Sequence, residues 1–86
     1  MTRDEVYVIV KKYLLEGVED LKEDMIDPEK SMKDLGANSL DIVEVVSRAM
    51  RELKVKVPRS ELSKLSNINA LVDLLYKVVS EKPAAT

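Results

Sequence analysis

The sequence predicts an all-α domain: a four-helix bundle with a long first loop and a short third helix. Three observations predict it. Apolar residues recur at helical spacing in three separate stretches, within residues 6–14, 42–53 and 68–79. The segment between the first two, residues 17–38, is rich in acidic side chains and is broken by Pro28. The apolar content is 45%, with three Tyr and no Phe or Trp. That composition suits a helical core of Leu, Val, Ile and Met, adequate but marginal for one small domain.

Each element has its own signals. Thr2 and Glu5 have capping-box spacing, each side chain able to satisfy the other's backbone N–H. Val6, Ile9, Val10, Tyr13 and Leu14 form the apolar stripe of a first helix over residues 3–16, with Lys11, Lys12 and Glu16 facing away and Gly17 as its stop. A loop as long as residues 17–38 must be pinned to the domain. Leu21, Met25, Ile26, Met32 and Leu35 are the expected anchors, with a short helical turn within residues 21–25.

The second helix is expected from Ser39 to Leu53, with Asn38 as its N-cap and Gly36 allowing a tight turn before it. Ile42, Val46, Ala49 and Leu53 form its core stripe, flanked by Val45 and Met50; Leu40, Val43 and Ser47 lie on another stripe beside Glu44. Pro58 cannot continue a helix and holds Val57 extended. Residues 59–65 then form a short third helix burying Leu62 and Leu65. Ser66 or Asn67 caps the last helix, whose stripe is Ile68, Leu71, Val72, Leu75 and Val79. Residues 81–86 read as a flexible tail beyond one domain over residues 1–80.

Composition removes several function classes. With no Cys and no His, disulfides, thiolate metal sites and Ser-His or Cys-His catalytic pairs are impossible, and no metal site is expected. No apolar run reaches membrane-spanning length and no signal pattern opens the chain, so a cytoplasmic protein without a membrane partner is expected. The net charge of −2 conceals an asymmetry: residues 1–37 carry six basic and ten acidic side chains, residues 38–61 five and four. Without a continuous basic tract or interleaved aromatics, nucleic-acid binding is not expected.

The chemistry centres on Asp34-Leu35-Gly36-Ala37-Asn38-Ser39-Leu40-Asp41. Physically this is a loop that ends by starting a helix, with Ser39 at the helix mouth. Ser39 is either a capping residue only or a hydroxyl presented for covalent modification. No neighbour would make it a catalytic nucleophile, and no Gly-x-Ser-x-Gly elbow surrounds it.

These residues, followed by Val43-Glu44, resemble the phosphopantetheine-attachment motif of acyl carrier proteins, Leu-Gly-x-Asp-Ser-Leu. The resemblance extends through Val55-Lys56-Val57-Pro58 to the last apolar run. It implies a carrier without catalytic residues, holding 4′-phosphopantetheine on Ser39 through a phosphodiester and an acyl group on the terminal thiol. It also implies partner docking through Asn38, Leu40, Asp41, Val43, Glu44, Ser47, Arg48 and Arg51. Asn38 replaces the usual Asp, which removes one negative charge beside Ser39 and bears on which transferase modifies it. Arg48, Arg51, Lys54 and Lys56 make the far end of the second helix basic where the family is usually acidic. Cations also suit a helix C-terminus.

A narrower resemblance lies in the Asn38-Ser39 pair, Pro58-Arg59-Ser60-Glu61-Leu62 and Asn67-Ile68-Asn69-Ala70-Leu71-Val72-Asp73-Leu74-Leu75-Tyr76. It is to discrete donor carriers of polyketide β-branching cassettes. These deliver acetyl, made by decarboxylating a malonyl thioester, to an enzyme resembling 3-hydroxy-3-methylglutaryl (HMG) synthase. The implied partners are a phosphopantetheinyl transferase, that HMG-synthase-like enzyme, a decarboxylating ketosynthase-like enzyme and an acyltransferase, met by a monomeric carrier. Two other readings stay open: a carrier for fatty-acid or other polyketide synthesis, and a non-covalent helical interaction module in which Ser39 is only a cap.

Overall fold

The first helix, α1 (Arg3–Gly17), begins where its capping box closes. The Glu5 N–H donates to Thr2 Oγ1 at 3.2 Å and the Thr2 N–H donates to Glu5 Oε1 at 3.1 Å. Val6, Val10 and Leu14 are fully buried, while Ile9 and Tyr13 are half-buried at the margin of the stripe. Gly17 does not stand just beyond the helix as its stop, as the sequence suggests, but is its last helical residue. Val18 ends it in extended geometry, its N–H still donating to the Leu14 carbonyl at 2.9 Å. The physical reason is burial: Val18 is drawn into the core, which redirects the chain.

The computed structural model describes residues 2–62 and 66–81, without the side chains of Arg59 and Leu62. Within them α2 (Ser39–Leu53), α3 (Arg59–Leu62) and α4 (Ile68–Glu81) follow α1, and α1 packs against both α2 and α4. The expected burial of Leu62 and Leu65, and the tail beyond residue 81, lie outside the described residues. The core joins Val6, Val10 and Leu14 of α1 to Val45, Val46 and Ala49 of α2 and to Ile68, Leu71, Val72 and Leu75 of α4. Val45 is fully buried, whereas Ile42, expected on the central stripe, is only half-buried because it borders a groove.

The first loop is pinned more firmly than its composition suggests. Leu21 is buried, and Ile26, Met32 and Leu35 pack against the core, whereas Met25 stays 48% exposed and is no anchor. Instead the 3-10 turn Glu23–Met25 is held from outside by Lys11, whose Nζ meets Glu23 Oε1 at 2.7 Å. Lys11 therefore does not point simply to solvent; it is half-buried and also lies 5.8 Å from the Tyr7 ring centroid. Lys12 reaches across to Glu52 of α2 at 2.9 Å.

The loop in turn starts α4. The Ile68 and Asn69 N–H groups donate to the carbonyls of Lys30 and Pro28 at 3.0 and 2.8 Å, and Asn67 Oδ1 accepts from the Ala70 N–H at 2.8 Å. First-turn donors that a helix leaves unsatisfied are thus met by loop backbone and by one side-chain cap.

Candidate functional site

Residues 31–41 deliver Ser39 through two consecutive clasps. In the first, the Ser31 N–H donates to Asp34 Oδ2 at 3.2 Å and the Asp34 N–H donates to Ser31 Oγ at 3.1 Å. This closes the 3-10 turn Lys33–Leu35. The Gly36 and Ala37 N–H groups then donate to the carbonyls of Lys33 and Met32, each at 3.0 Å. Gly36 sits at φ 100°, a left-handed conformation that a side chain resists, and Ala37 is buried beneath the turn. In the second clasp, Asn38 Oδ1 accepts from the Asp41 N–H at 2.8 Å and Asp41 Oδ2 accepts from the Asn38 N–H at 3.2 Å. Asn38 is therefore the N-cap of α2, as expected.

The second clasp leaves Ser39 unused by the cap. It is exposed, and among the described residues its hydroxyl makes no hydrogen bond. Among the described residues the N–H groups of Ser39 and Leu40 also have no hydrogen-bond partner at the helix mouth. Free N–H groups at the positive end of a fifteen-residue helix favour an anion such as a phosphodiester.

Ser39 opens onto a groove of about 640 Å³ between the first loop, α2 and the start of α4. Val46, Val57 and Leu71, all buried, form its floor. Met32 and Met50 line it on either side, and Ser31, Lys33, Ser66 and Asn67 make its border polar. A long flexible arm fixed at Ser39 has room to lie along it, so the residues present fit a phosphopantetheine group.

The expected docking residues divide into groups. Leu40 and Val43 are apolar and outward, 77% and 48% exposed. Glu44 and Arg48 are also exposed, and are paired to each other at 3.2 Å. Arg51 is exposed and makes no ion pair among the described residues. Asn38 and Asp41 are occupied in the cap, and Ser47 is half-buried along the groove. Lys33 and Ser31 were not among the expected site residues. The Ser31-x-x-Asp34 spacing was the available sign of the first clasp, whereas the place of Lys33 depends on how the loop folds back. Among the described residues no acidic cluster could hold a metal ion, and no helix is long and apolar enough to cross a membrane.

Comparison with known proteins agrees with this architecture. The family described as "Phosphopantetheine attachment site" matches residues 12–75. The polyketide biosynthesis acyl-carrier-protein AcpK of Bacillus subtilis (strain 168) is 30% identical over 79 residues, covering 92% of this chain and 96% of the relative. Methylphloroacetophenone synthase of Cladonia uncialis is 38% identical over 63 residues, covering 73% of this chain but 2% of the synthase, so that likeness is to one small segment of a large protein. Among solved structures, the crystal structure of the curacin biosynthetic pathway HMG synthase in complex with acetyl donor-ACP contains a chain of similar fold. The TM-score is 0.76 and the identity 34%, over 88% of this chain and 96% of that one. The match over most of the length, together with a small relative covered nearly throughout, places this chain in the acyl carrier protein family, whose cofactor is covalently attached 4′-phosphopantetheine.

Proposed function

We propose that Ser39 is the attachment point and that this carrier is the acetyl donor of a polyketide β-branching cassette. The observation that carries the first part is the division of labour at the mouth of α2. Asn38 and Asp41 complete the cap between themselves, leaving the Ser39 hydroxyl and two backbone donors for the phosphodiester. Once attached, the group supplies a terminal thiol on which an acyl thioester rides between partner active sites. Tethering raises the local concentration of a small substrate and lets enzymes select it through protein surface.

The second part is supported by likeness to a donor carrier solved with HMG synthase, at 34% identity, and to a polyketide carrier of nearly the same length. On this reading a phosphopantetheinyl transferase modifies Ser39 and an acyltransferase loads malonyl. A decarboxylating ketosynthase-like enzyme converts malonyl to acetyl, and an HMG-synthase-like enzyme accepts it. Leu40 and Val43 offer the apolar contact beside the arm. Arg51 adds a cation about 16 Å further along α2, at 1.5 Å rise per residue, where charge acts on partner choice and association rate.

Two experiments test the two parts. Intact mass after incubation with coenzyme A and a broad-specificity transferase should rise by one phosphopantetheine, with Ser39→Ala unchanged in mass and still folded. Loss of loading only on substitution of another serine would refute the assignment to Ser39. Acetyl transfer from the loaded protein to an HMG-synthase-like enzyme should exceed transfer from a fatty-acid carrier. Equal or better transfer from that control would favour a general biosynthetic carrier.

A further inference from the structure

The groove beside Ser39 has an electrical asymmetry that carrying an acetyl group does not require. Lys33 is the one charged side chain among its described lining residues, and no carboxylate faces it there. This lysine belongs to a chain segment, residues 1–37, in which acidic side chains outnumber basic ones ten to six. Other cations differ in this respect: Lys11 pairs with Glu23, Lys12 with Glu52 and Arg48 with Glu44, whereas Lys22, Lys30 and Arg51 make no ion pair among the described residues and do not line the groove. Lys33 makes no ion pair or side-chain hydrogen bond among the described residues. Its neighbour Asp34, the nearest acid in sequence, is turned back onto Ser31. The backbone of Lys33 is held, because its carbonyl accepts the Gly36 N–H within the turn that precedes Ser39, while the side chain is exposed at the groove border.

An unpaired cation on a groove whose other described lining residues are uncharged and mostly apolar is complementary to a ligand with an apolar or amide body and one terminal negative charge. We infer that Lys33 makes this groove selective for an acyl group ending in a free carboxylate, of the malonyl class, folded back from the arm on Ser39. The inference rests on the reading of Ser39 as the attachment point. It adds a residue that distinguishes the carboxylated cargo from the acetyl group left after decarboxylation: loss of the carboxylate removes the partner of Lys33 and releases the cargo towards the next enzyme.

The test loads the full chain from malonyl-, butyryl- and acetyl-coenzyme A, and from coenzyme A itself, with intact mass confirming each product. Butyryl matches malonyl closely in size but lacks the charge. Methyl resonances of ¹³C-labelled methionine give the readout, since Met32 and Met50 line the groove and exposed Met25 lies outside its lining. Malonyl should displace the Met32 and Met50 signals more than butyryl, by about two- to fivefold in bound population for a solvent-accessible ion pair, and leave Met25 unmoved. Lys33→Gln should remove that excess, and added salt should weaken it. Equal displacement by malonyl and butyryl, or an excess that survives Lys33→Gln, would overturn the inference. So would the full displacement from the unacylated arm, which would assign Lys33 to the phosphodiester. Failure of loading at Ser39 would show in the mass and refute the attachment reading, and this inference with it. A silent groove in fully loaded protein would refute this inference alone.

Discussion

The two ends of α2 are built differently, although each has a residue in the left-handed region close by. At the start, that residue is Gly36 at φ 100°, followed by a reciprocal cap between Asn38 and Asp41. At the end it is Lys54 at φ 58°, whose N–H donates to the carbonyls of Arg51 and Met50, while the Val55 N–H also donates to Met50. Glycine takes such a conformation without strain, whereas lysine pays a steric penalty for it. The start thus fixes Ser39 with a relaxed backbone. The far end keeps a strained lysine and a cationic surface where glycine would make the better stop. The difference teaches that the turn before Ser39 uses the residue that takes a left-handed conformation without strain, whereas the far end of α2 places a cation there at a steric cost.

The largest effect expected from breaking this comparison is at Gly36. Gly36→Ala meets no neighbour within 4 Å, so any destabilisation comes from the backbone conformation alone. It should cost about 1–2 kcal/mol, a melting temperature lower by roughly 4–8 °C per kcal/mol, and should slow loading of Ser39 by displacing the turn. Gly17→Ala is the control. Gly17 is helical, and an added Cβ would lie 3.6 Å from Val45 Cγ2, an ordinary contact. That substitution should be neutral or stabilising by up to about 1 kcal/mol. Equal losses at the two glycines in thermal melts would refute the account.

Asn38 comes next. Asn38→Ala removes the acceptor for the Asp41 N–H and should cost about 1 kcal/mol, within the usual 0.5–2 kcal/mol for a lost N-cap. Asn38→Asp restores the family's usual residue and keeps the acceptor. It should leave the melting temperature nearly unchanged while altering the rate of transferase modification. A large stability change for Asn38→Asp would mean that the amide makes a contribution beyond capping.

The start of α2 was legible in the sequence because its signals are local: a glycine for the turn, a capping residue, and Asp41 three positions later to close the box. The same holds for Thr2 with Glu5 and for Asn67 before α4. What was not legible depends on distant parts of the chain. Nothing within residues 17–20 shows that burial of Val18 rather than Gly17 ends α1. Met25 looks like an anchor by composition, yet the turn is held by Lys11 instead. The half-burial of Ile42 and the place of Lys33 both follow from the groove, which exists only once the loop has closed on α4 through the carbonyls of Pro28 and Lys30. Lys54 gave no sign of a left-handed conformation, since lysine is not a residue that seeks it.

Lys54→Gly sharpens the comparison from the other side. If strain is retained there, glycine should relieve part of it, the gain being reduced by the extra freedom of glycine in the unfolded chain. A net stabilisation of about 0.5–1 kcal/mol is expected, with loading of Ser39 unchanged and partner association altered through loss of the charge. A fall in melting temperature would show that the lysine side chain makes a favourable contact outweighing its backbone strain.

The smallest expected effect concerns how the far end of α2 is tied to α1. Glu52 accepts from Tyr13 Oη and from Lys12 Nζ, and the Lys12 ammonium lies 4.6 Å from the Tyr13 ring centroid. The Tyr13 hydrogen bond, followed by the Lys12 contact, holds the Glu52 carboxyl below its ordinary 4.5. The same carboxylate raises Tyr13 above 10.0 and Lys12 above 10.5. A lowered carboxyl contributes stability above its unfolded value, lost as pH falls through the folded one. A raised phenol or ammonium contributes below its unfolded value, and that is lost as pH rises through the folded one. The clasp therefore weakens on both flanks and is intact between them. The Thr2–Glu5 box, in which hydrogen bonds from Thr2 lower the Glu5 carboxyl, weakens on the acid flank only. Melting temperatures of the parent and Glu52→Gln from about pH 3 to 11 should accordingly differ by a small amount near neutrality and converge at both extremes. Glu5→Gln should converge with the parent on the acid side alone. Because the Lys12, Glu52 and Glu5 side chains are exposed, the differences should shrink further in high salt. A Glu52→Gln curve parallel to the parent throughout would show that the clasp contributes nothing to holding the far end of α2.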